Sequence, residues 1–300
     1  MSAMATARPT SLRPTLIGFT AVLMWATLAL LTELSGRIPP FQLTAMAFTV
    51  AFGIGVLTWI RDGGSPWQYL RLPLRVWGLG IIGLFGYHLM YFIALQNAPA
   101  VEASLIAYLW PLLIVFFSAL LPGEALRWFH GAGAIAGFLG AALLITKGQS
   151  LTFDGQYTTG YVAAIACALI WSSYSLLSRR LGAIPTNAVG GFCGVTALLA
   201  WCAHGLLETT VWPEGQAWLA IFGLGLGPVG LAFFTWDYGV KHGNIKVLGA
   251  LSYSAPLLST LLLIATGLAE PTRAVAGACL LIVGGAMLAT LDFWRPDDRS

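Results

Sequence analysis

Residues 91–111 read YFIALQNAPAVEASLIAYLWP, and residues 236–256 read WDYGVKHGNIKVLGALSYSAP. The two stretches align without a gap at a distance of 145 residues, which places Pro111 over Pro256. Each stretch contains the end of one apolar segment, a short turn and the first half of the next segment. This alignment indicates that the chain is one unit built twice.

The same correspondence extends over most of the chain. At an offset of 145 or 146 residues it pairs Tyr108 with Tyr253, Trp25 with Trp171, Glu124 with Glu270, and Gly131 with Gly277. We therefore predict a first five-helix repeat over residues 15–147 and a second over residues 158–293. Residues 1–14 and 294–300 are predicted to be short tails.

The composition indicates a membrane protein. Of 300 residues, 58% are hydrophobic and only 9% are charged, whereas soluble domains carry about 25% charged residues. So few charges cannot cover a water-exposed surface, so most of the chain must face membrane lipid. Basic runs that would bind nucleic acid are missing, and the four cysteines form no CxxC pair. We therefore expect no nucleic-acid partner, no metal and no cofactor.

Charged or turn-rich breaks divide the chain into ten apolar segments, and each span of a bilayer needs about 20 residues. The predicted spans are residues 15–33, 38–60, 76–97, 100–121, 128–146, 158–178, 185–207, 216–240, 245–267 and 273–293. Strand-like alternation is absent, so the spans are helices and the fold is all-α. Because five is an odd number, the second repeat must enter the membrane upside down. The prediction is two inverted five-helix repeats around a central cavity.

Basic residues set the orientation, because loops on the cytoplasmic side carry an excess of lysine and arginine. With the N-terminus in the cytoplasm, 12 of the 15 basic residues fall on that side and only Arg37, Lys147 and Arg273 fall outside. The bias predicts a multi-pass protein of the bacterial inner membrane with both termini in the cytoplasm.

Aromatic and polar side chains lie deep in several predicted spans. At the ends of spans such residues usually form an interfacial belt, but a deep hydroxyl or indole N–H has no partner among lipid tails. We predict a shared cavity, and the alternative is that these groups hold helices together. The predicted substrate-binding residues are Tyr87, His88, Tyr91, Tyr108, Trp110, Trp171, Trp236 and Tyr253.

Two prolines stand in the middle of spans at matching repeat positions. A proline inside a helix removes a backbone hydrogen bond and kinks the helix. We therefore predict that Pro111 and Pro256 are hinges or cavity-lining breaks.

Ionisable residues at depth are costly to retain, which makes each a candidate for function. His88 either contacts substrate or relays protons, or it is a buried histidine bonded to a neighbour. Asp237 lies four residues before Lys241, which favours a local ion pair. Glu124 and Glu270 stand at turns, and we expect them to cap the helices that follow.

Enzyme signatures are missing from the sequence. It contains no HExxH, GxSxG or P-loop motif, so we expect a protein that is not an enzyme. No lysine or arginine stands in the middle of a span, which argues against a phosphate-bearing substrate.

The chain resembles the drug/metabolite transporter superfamily, specifically its ten-helix EamA-type exporters. The resemblance covers about residues 15–290 and rests on the paired segments that end in Pro111 and Pro256. The stretches 108–111 and 242–253, together with Trp171, are more specific signals, and they are similar to the aromatic amino acid exporters of that family. The resemblance implies a basket of ten helices that moves amino acids outward.

The sequence-based prediction is thus a monomeric exporter of aromatic and other apolar amino acids, embedded in lipid and working by alternating access. One alternative is a broad drug or metabolite efflux transporter. Another, of a different class, is a membrane-embedded enzyme. The energy source stays open between facilitated diffusion and proton coupling through His88.

Reporter fusions test the predicted topology. Alkaline phosphatase, which is active only outside the cytoplasm, should be active when fused after residue 150 and inactive when fused after residue 300. Green fluorescent protein at the same two positions should give the reverse pattern. Chain ends on opposite faces of the membrane would contradict an inverted duplication.

Overall fold

The computed structural model describes residues 12–63, 65–151 and 153–293. Residues 1–11 and 294–300, which make up most of the two predicted tails, lie outside the described residues. The described part of the chain folds into helices joined by short loops, and it contains no strand.

Ten helices of ten or more residues, some of them interrupted, account for most of the residues that the structure describes. They are α1 (Leu12–Leu34), α2 (Pro40–Arg61), α3 (Leu74–Asn97), α4 (Ala100–Leu120), α5 (Trp128–Thr146), α6 (Gly155–Arg180), α7 (Thr186–Leu207), α8 (Ala217–His242), α9 (Ile245–Ala265) and α10 (Arg273–Ala289). In the described chain, helices α1 to α9 are long and apolar enough to cross a membrane, whereas α10 has 17 residues. The chain is a multi-pass membrane protein.

Helix packing follows a reciprocal pattern. Helix α1 packs along the second half of α8, and α6 packs along the second half of α3. Helix α2 packs against α7, and α5 packs against α10. When each helix is replaced by its equivalent in the other repeat, five positions along, every one of these pairs becomes a pair of the same set: α1 with α8, for example, becomes α6 with α3.

Small residues allow these helices to approach closely, as is common in lipid. A Cβ added to Gly18 would lie 2.8 Å from the Cα of Gly239, where α1 crosses α8. A Cβ added to Gly190 would lie 2.7 Å from the Cα of Gly55, where α7 crosses α2. Any larger residue at these crossings would force the helices apart.

Interruptions of the helices recur at matching positions. Helix α3 contains a π-helical turn at Ile82–Gly86, and α8 contains one at Gly227–Leu231, 145 residues further on. Helix α4 breaks at Tyr108, and α9 breaks at Tyr253. The two tyrosines shortly precede Pro111 and Pro256, so each helix is interrupted close to its mid-span proline, as a proline inside a helix leads one to expect.

An ion-pair network joins the helices at one end of the molecule. The carboxylate of Glu124 accepts from Arg179 at 2.5 Å and from Lys246 at 2.8 Å. The Arg179 guanidinium also donates to the backbone carbonyls of Val240 and Gly243. This network connects the α4–α5 loop to α6 and to the start of α9.

Both glutamates predicted to be helix caps have other environments. Glu124 forms the network just described, and α5 begins instead with reciprocal bonds between Arg127 and His130. Glu270 is exposed, and the side chain of Thr272 caps α10. The capping prediction was wrong because basic residues far along the chain reach Glu124, and sequence spacing does not reveal them.

The electrostatics of Glu124 follow from this network. Burial alone would raise the pKa of its carboxyl group, but the hydrogen bond from Lys246 and the charges of Arg179 and Lys246 outweigh burial and lower it. A carboxylate with a lowered pKa stabilises the fold fully above its unfolded pKa, about 4.3 for glutamate. That stabilisation is lost as the pH falls through the lower pKa of the folded state.

This linkage gives a testable pH dependence. Glu124→Gln should reduce the free energy of unfolding at pH 7 by about 1–3 kcal/mol, because two cations lose their acceptor. The difference between variant and wild type should shrink as the pH falls below about 4. Thermal unfolding in detergent between pH 3.5 and 7.5 measures both effects. Glu270→Gln, at the equivalent exposed position, serves as the control and should change neither.

Candidate functional site

Four tryptophans meet in the interior of the helix bundle. They are Trp25 of α1, Trp110 of α4, Trp171 of α6 and Trp236 of α8. All six distances between their ring centroids fall between 5.1 and 6.3 Å. We call this set the indole cluster. It brings together both halves of the chain, since two of its members come from each repeat predicted from the sequence.

Hydrogen bonding divides the indole cluster into two pairs. The indole N–H of Trp25 donates to the carbonyl of Pro228 at 3.0 Å, and that of Trp236 donates to the Ser175 hydroxyl at 3.0 Å. Within the described residues, the indole N–H groups of Trp110 and Trp171 have no protein acceptor. Both side chains are buried, so the two unpaired donors lie inside the cluster.

Two phenylalanines extend the indole cluster. Phe233 of α8 lies 5.6 Å from Trp171 between centroids, and it stacks on Phe48 of α2 at 5.7 Å. Sequence reasoning did not select these phenylalanines, which have no polar atom to mark them. It also missed Trp25, although the repeat alignment with Trp171 was a signal that could have found it.

The tyrosine–histidine edge of the site consists of Tyr87, His88 and Tyr91, all on α3. Tyr87 lies 5.6 Å from Trp171 between ring centroids and stacks on Tyr91 at 6.2 Å. The Tyr91 hydroxyl is 3.3 Å from the hydroxyl of Ser104 on α4. The three side chains are half-buried, so this edge is more accessible than the indole cluster it adjoins.

His88 has a defined tautomer. Its Nδ1 lies 2.7 Å from the carbonyl of Leu84, and a carbonyl can only accept, so Nδ1 carries the proton. In a neutral ring Nε2 is then an acceptor. Leu84 belongs to the π-helical turn of α3, just as Pro228 belongs to that of α8. Each π-helical turn therefore supplies a carbonyl that orients a ring N–H of the site.

Tyr108 and Tyr253 have different surroundings. Tyr108 is half-buried, and its hydroxyl has no protein partner within the described residues. Tyr253 is completely buried outside the indole cluster, with its ring against Phe138. Its hydroxyl accepts from the Leu112 backbone N–H at 3.0 Å and donates to the Tyr108 carbonyl at 3.3 Å.

Six of the eight residues selected from the sequence are therefore joined by ring contacts. They are Tyr87, His88, Tyr91, Trp110, Trp171 and Trp236. Tyr108 is next to Trp110 along the chain, and Tyr253 is buried elsewhere. The predicted ion pair of Asp237 with Lys241 is confirmed at 2.7 Å, with both side chains buried and with Thr186 donating to the same carboxylate.

The chemistry available at this site is aromatic and neutral. Indole and phenyl faces offer a large apolar contact and attract cations. Two indole N–H groups can donate to an anionic oxygen, and the Nε2 of His88 can accept from a cationic nitrogen. The arrangement suits a ligand that has an aromatic ring and a few polar atoms.

Comparison with known proteins adds an independent line of evidence. The model of the EamA-like transporter family matches residues 12–146 and again residues 158–291. An aromatic amino acid exporter, YddG of Ancylobacter novellus, is 54% identical over 278 residues, which cover 92% of this chain and 96% of the relative. YddG of Escherichia coli is 24% identical over 290 residues, covering 93% and 97%. A crystal structure with 54% identity superposes with a TM-score of 0.89 over 93% of this chain and 96% of that one.

Substitution of the site residues tests their role. Trp171→Ala and Tyr91→Ala should each lower transport of labelled phenylalanine in reconstituted vesicles roughly tenfold, because each removes an aromatic contact worth up to about 1.5 kcal/mol. Trp212→Ala is a matched control, since Trp212 is exposed in the loop before α8. Expression and thermal stability of all three variants must stay near wild type. Wild-type transport by both site variants would remove Trp171 and Tyr91 from the pathway.

Proposed function

The chain belongs to the EamA-like transporter family, and on that premise we propose that it exports aromatic amino acids across the bacterial inner membrane by alternating access. The observation that carries this proposal is the indole cluster with two free N–H donors beside the tyrosine–histidine edge. The names of the YddG relatives agree with it.

The substrate is recognised through its ring and its zwitterionic backbone. The ring packs against the indole and phenyl faces, as an apolar ligand does in a preformed pocket. Its carboxylate accepts from the indole N–H groups of Trp110 and Trp171. Its ammonium donates to the Nε2 of His88 and lies against aromatic faces, which attract cations. No fixed charge is required, because a zwitterion is neutral overall.

The proposed architecture is two inverted repeats of five spans, with residues 15–147 in the first and 158–293 in the second. Three observations support it: the two matches of the family model, the reciprocal helix pairs, and the π-helical turns 145 residues apart. In this arrangement α10 is the tenth span, and both termini lie in the cytoplasm. We also propose that the transporter acts as a monomer, with the pathway enclosed between the two repeats of one chain.

The direction of opening follows from the two ends of the bundle. Glu124, Arg179 and Lys246 tie the end that the basic residues assign to the cytoplasm. At the other end the equivalents of Glu124 and Arg179 are Glu270 and Glu33, which are exposed and have no ion partner within the described residues. The outer ends therefore have no tie like that of Glu124, and the outer halves of α4 and α9 do not pack against each other as the inner halves do. On these grounds we assign the structure to the outward-facing state of the proposed cycle.

Opening of the cytoplasmic end completes the cycle. The inner half of α4 after Pro111 packs against the inner half of α9, and Gly249 brings the two backbones together at the Pro111 carbonyl. Bending at Pro111 and Pro256 separates these halves while the outer halves close. Substrate then enters the site from the cytoplasm and leaves outside after the reverse motion.

A counterflow panel tests the substrate class. Vesicles preloaded with phenylalanine should accumulate labelled phenylalanine, tryptophan and tyrosine, and accumulation of threonine should be at least about tenfold lower, because threonine buries far less area against the rings. A quaternary ammonium dye should not compete. Equal exchange of the dye and phenylalanine would instead indicate a broad drug exporter. Runs with and without a pH gradient distinguish facilitated diffusion from proton coupling.

A further inference from the structure

The Tyr253 hydroxyl occupies a gap in the backbone of α4. In an unbroken helix the N–H of residue 112 donates to the carbonyl of residue 108. Here the Leu112 N–H donates to the Tyr253 hydroxyl, and that hydroxyl donates to the Tyr108 carbonyl. One hydroxyl thus serves both groups of a backbone pair that the Pro111 break has separated. In lipid such groups must be served by protein, since water is absent.

This contact fixes the position of two residues of the site. The break lies between Tyr108 and Trp110, so the hydroxyl sets the angle between the outer and inner halves of α4 at the indole cluster. The ring of Tyr253 lies against Gly137 of α5, where a Cβ on the glycine would come within 2.7 Å of the ring. Tyr253 therefore connects α9, α4 and α5 on the closed side of the molecule.

The repeat relation places residues equivalent to those of this contact in the other half of the chain. Tyr108 is the equivalent of Tyr253, and Leu257 is the equivalent of Leu112. The hydroxyl of Tyr108 has no protein partner within the described residues. Its equivalent partners would be the Tyr253 carbonyl and the Leu257 N–H, at the break of α9. The residue equivalent to Gly137 is the half-exposed Val283, so the small residue that lies against the Tyr253 ring has no equivalent in the second repeat.

The two halves of α4 and α9 show the same asymmetry. Their inner halves, Trp110–Phe117 and Ile245–Leu251, pack together, whereas no comparable packing joins the outer halves Ala100–Ala107 and Ser254–Ala265. One tyrosine is bound where the halves touch, and the other is free where they do not. Exchange of conformation between the repeats would reverse both relations.

We propose that Tyr253 and Tyr108 are reciprocal positioning residues, each of which holds the broken helix of the opposite repeat in one of the two transport states. In the outward-facing state the Tyr253 hydroxyl bridges Tyr108 and Leu112. In the inward-facing state the Tyr108 hydroxyl bridges Tyr253 and Leu257. This proposal rests on the alternating access of inverted repeats set out under the proposed function. It replaces the role of substrate contact that the sequence suggests for Tyr253.

The test compares Tyr253→Phe with Tyr108→Phe, each of which removes one hydroxyl and keeps the ring. A cysteine at Ser259, half-buried on the outer half of α9, reports outward opening through its reaction with a membrane-impermeant maleimide added outside. Labelling at residue 259 is read from its peptide by mass spectrometry, so the four native cysteines do not interfere. Tyr238→Phe, at an exposed position near the cytoplasmic end of α8, is the matched control.

Tyr253→Phe should slow labelling at residue 259 roughly tenfold, since two hydrogen bonds of the outward-facing state are lost. Tyr108→Phe should leave labelling equal or faster, and it should slow labelling of a cysteine at Ser178, near the cytoplasmic end of α6, by a thiol reagent added inside. Tyr238→Phe should change neither rate. Shifts of Tyr253→Phe and Tyr108→Phe in the same direction, or no shift in either, would overturn the proposal.

Labelling without substrate reports conformation alone, so the result is independent of which solute is carried. A failed substrate panel with opposite labelling shifts would contradict only the proposed function. If Tyr253→Phe proves unstable in thermal unfolding, Tyr108→Phe decides alone, because it alters a hydroxyl that is free in the outward-facing state. An unchanged inside labelling rate in that variant would then refute the exchange.

Discussion

A helix inside a membrane can break only where other protein groups satisfy the backbone polar atoms that the break releases, because lipid supplies no hydrogen bonds. Three side-chain contacts with irregular backbone surround the centre of this molecule. The Pro228 carbonyl, in the π-helical turn of α8, accepts from Trp25, and the Leu84 carbonyl, in that of α3, accepts from His88 as well as from the Tyr87 backbone N–H. The separated pair at the α4 break is bridged by Tyr253.

These contacts connect the fold to the site. Because aromatic or histidine side chains bond to the backbone at the two π-helical turns and at the α4 break, the irregular backbone and the polar atoms of the site occupy the same level of the bundle. The ring N–H groups that serve the backbone are fixed in orientation, whereas those of Trp110 and Trp171 have no protein acceptor within the described residues. Under the proposed function, a broken helix, which is costly in lipid, serves both to bend and to bind. This double role explains why the predicted hinges lie beside the aromatic rings and not at the loops.

Much of this arrangement was predictable from the sequence. Hydropathy located the spans, since burial of a backbone in lipid demands long apolar helices. The repeat alignment located the α4 and α9 breaks, and depth within the spans selected Trp110, Trp171 and Trp236. Residues at these positions combine a large ring with a polar atom that lipid cannot satisfy, and this makes them visible in a sequence.

Other features depend on the relative placement of helices, which spacing along the chain does not contain. Tyr253 has the same depth and chemistry as the site residues, yet the way α9 crosses α4 directs its hydroxyl to the break in α4. Glu124 stands at a turn like a capping residue, but Arg179 and Lys246 reach it from other helices. Phe48 and Phe233 have no polar atom to distinguish them from lipid-facing rings. Only the packed structure assigns these residues.

A structure of the protein with bound phenylalanine would test the central claim most directly. The account predicts the ring of phenylalanine against the indole cluster and its carboxylate within hydrogen-bond distance of the indole nitrogen of Trp110 or Trp171. It also predicts the ammonium near the Nε2 of His88. A carboxylate bound by an arginine or lysine, or a ring placed away from the indole cluster, would contradict it.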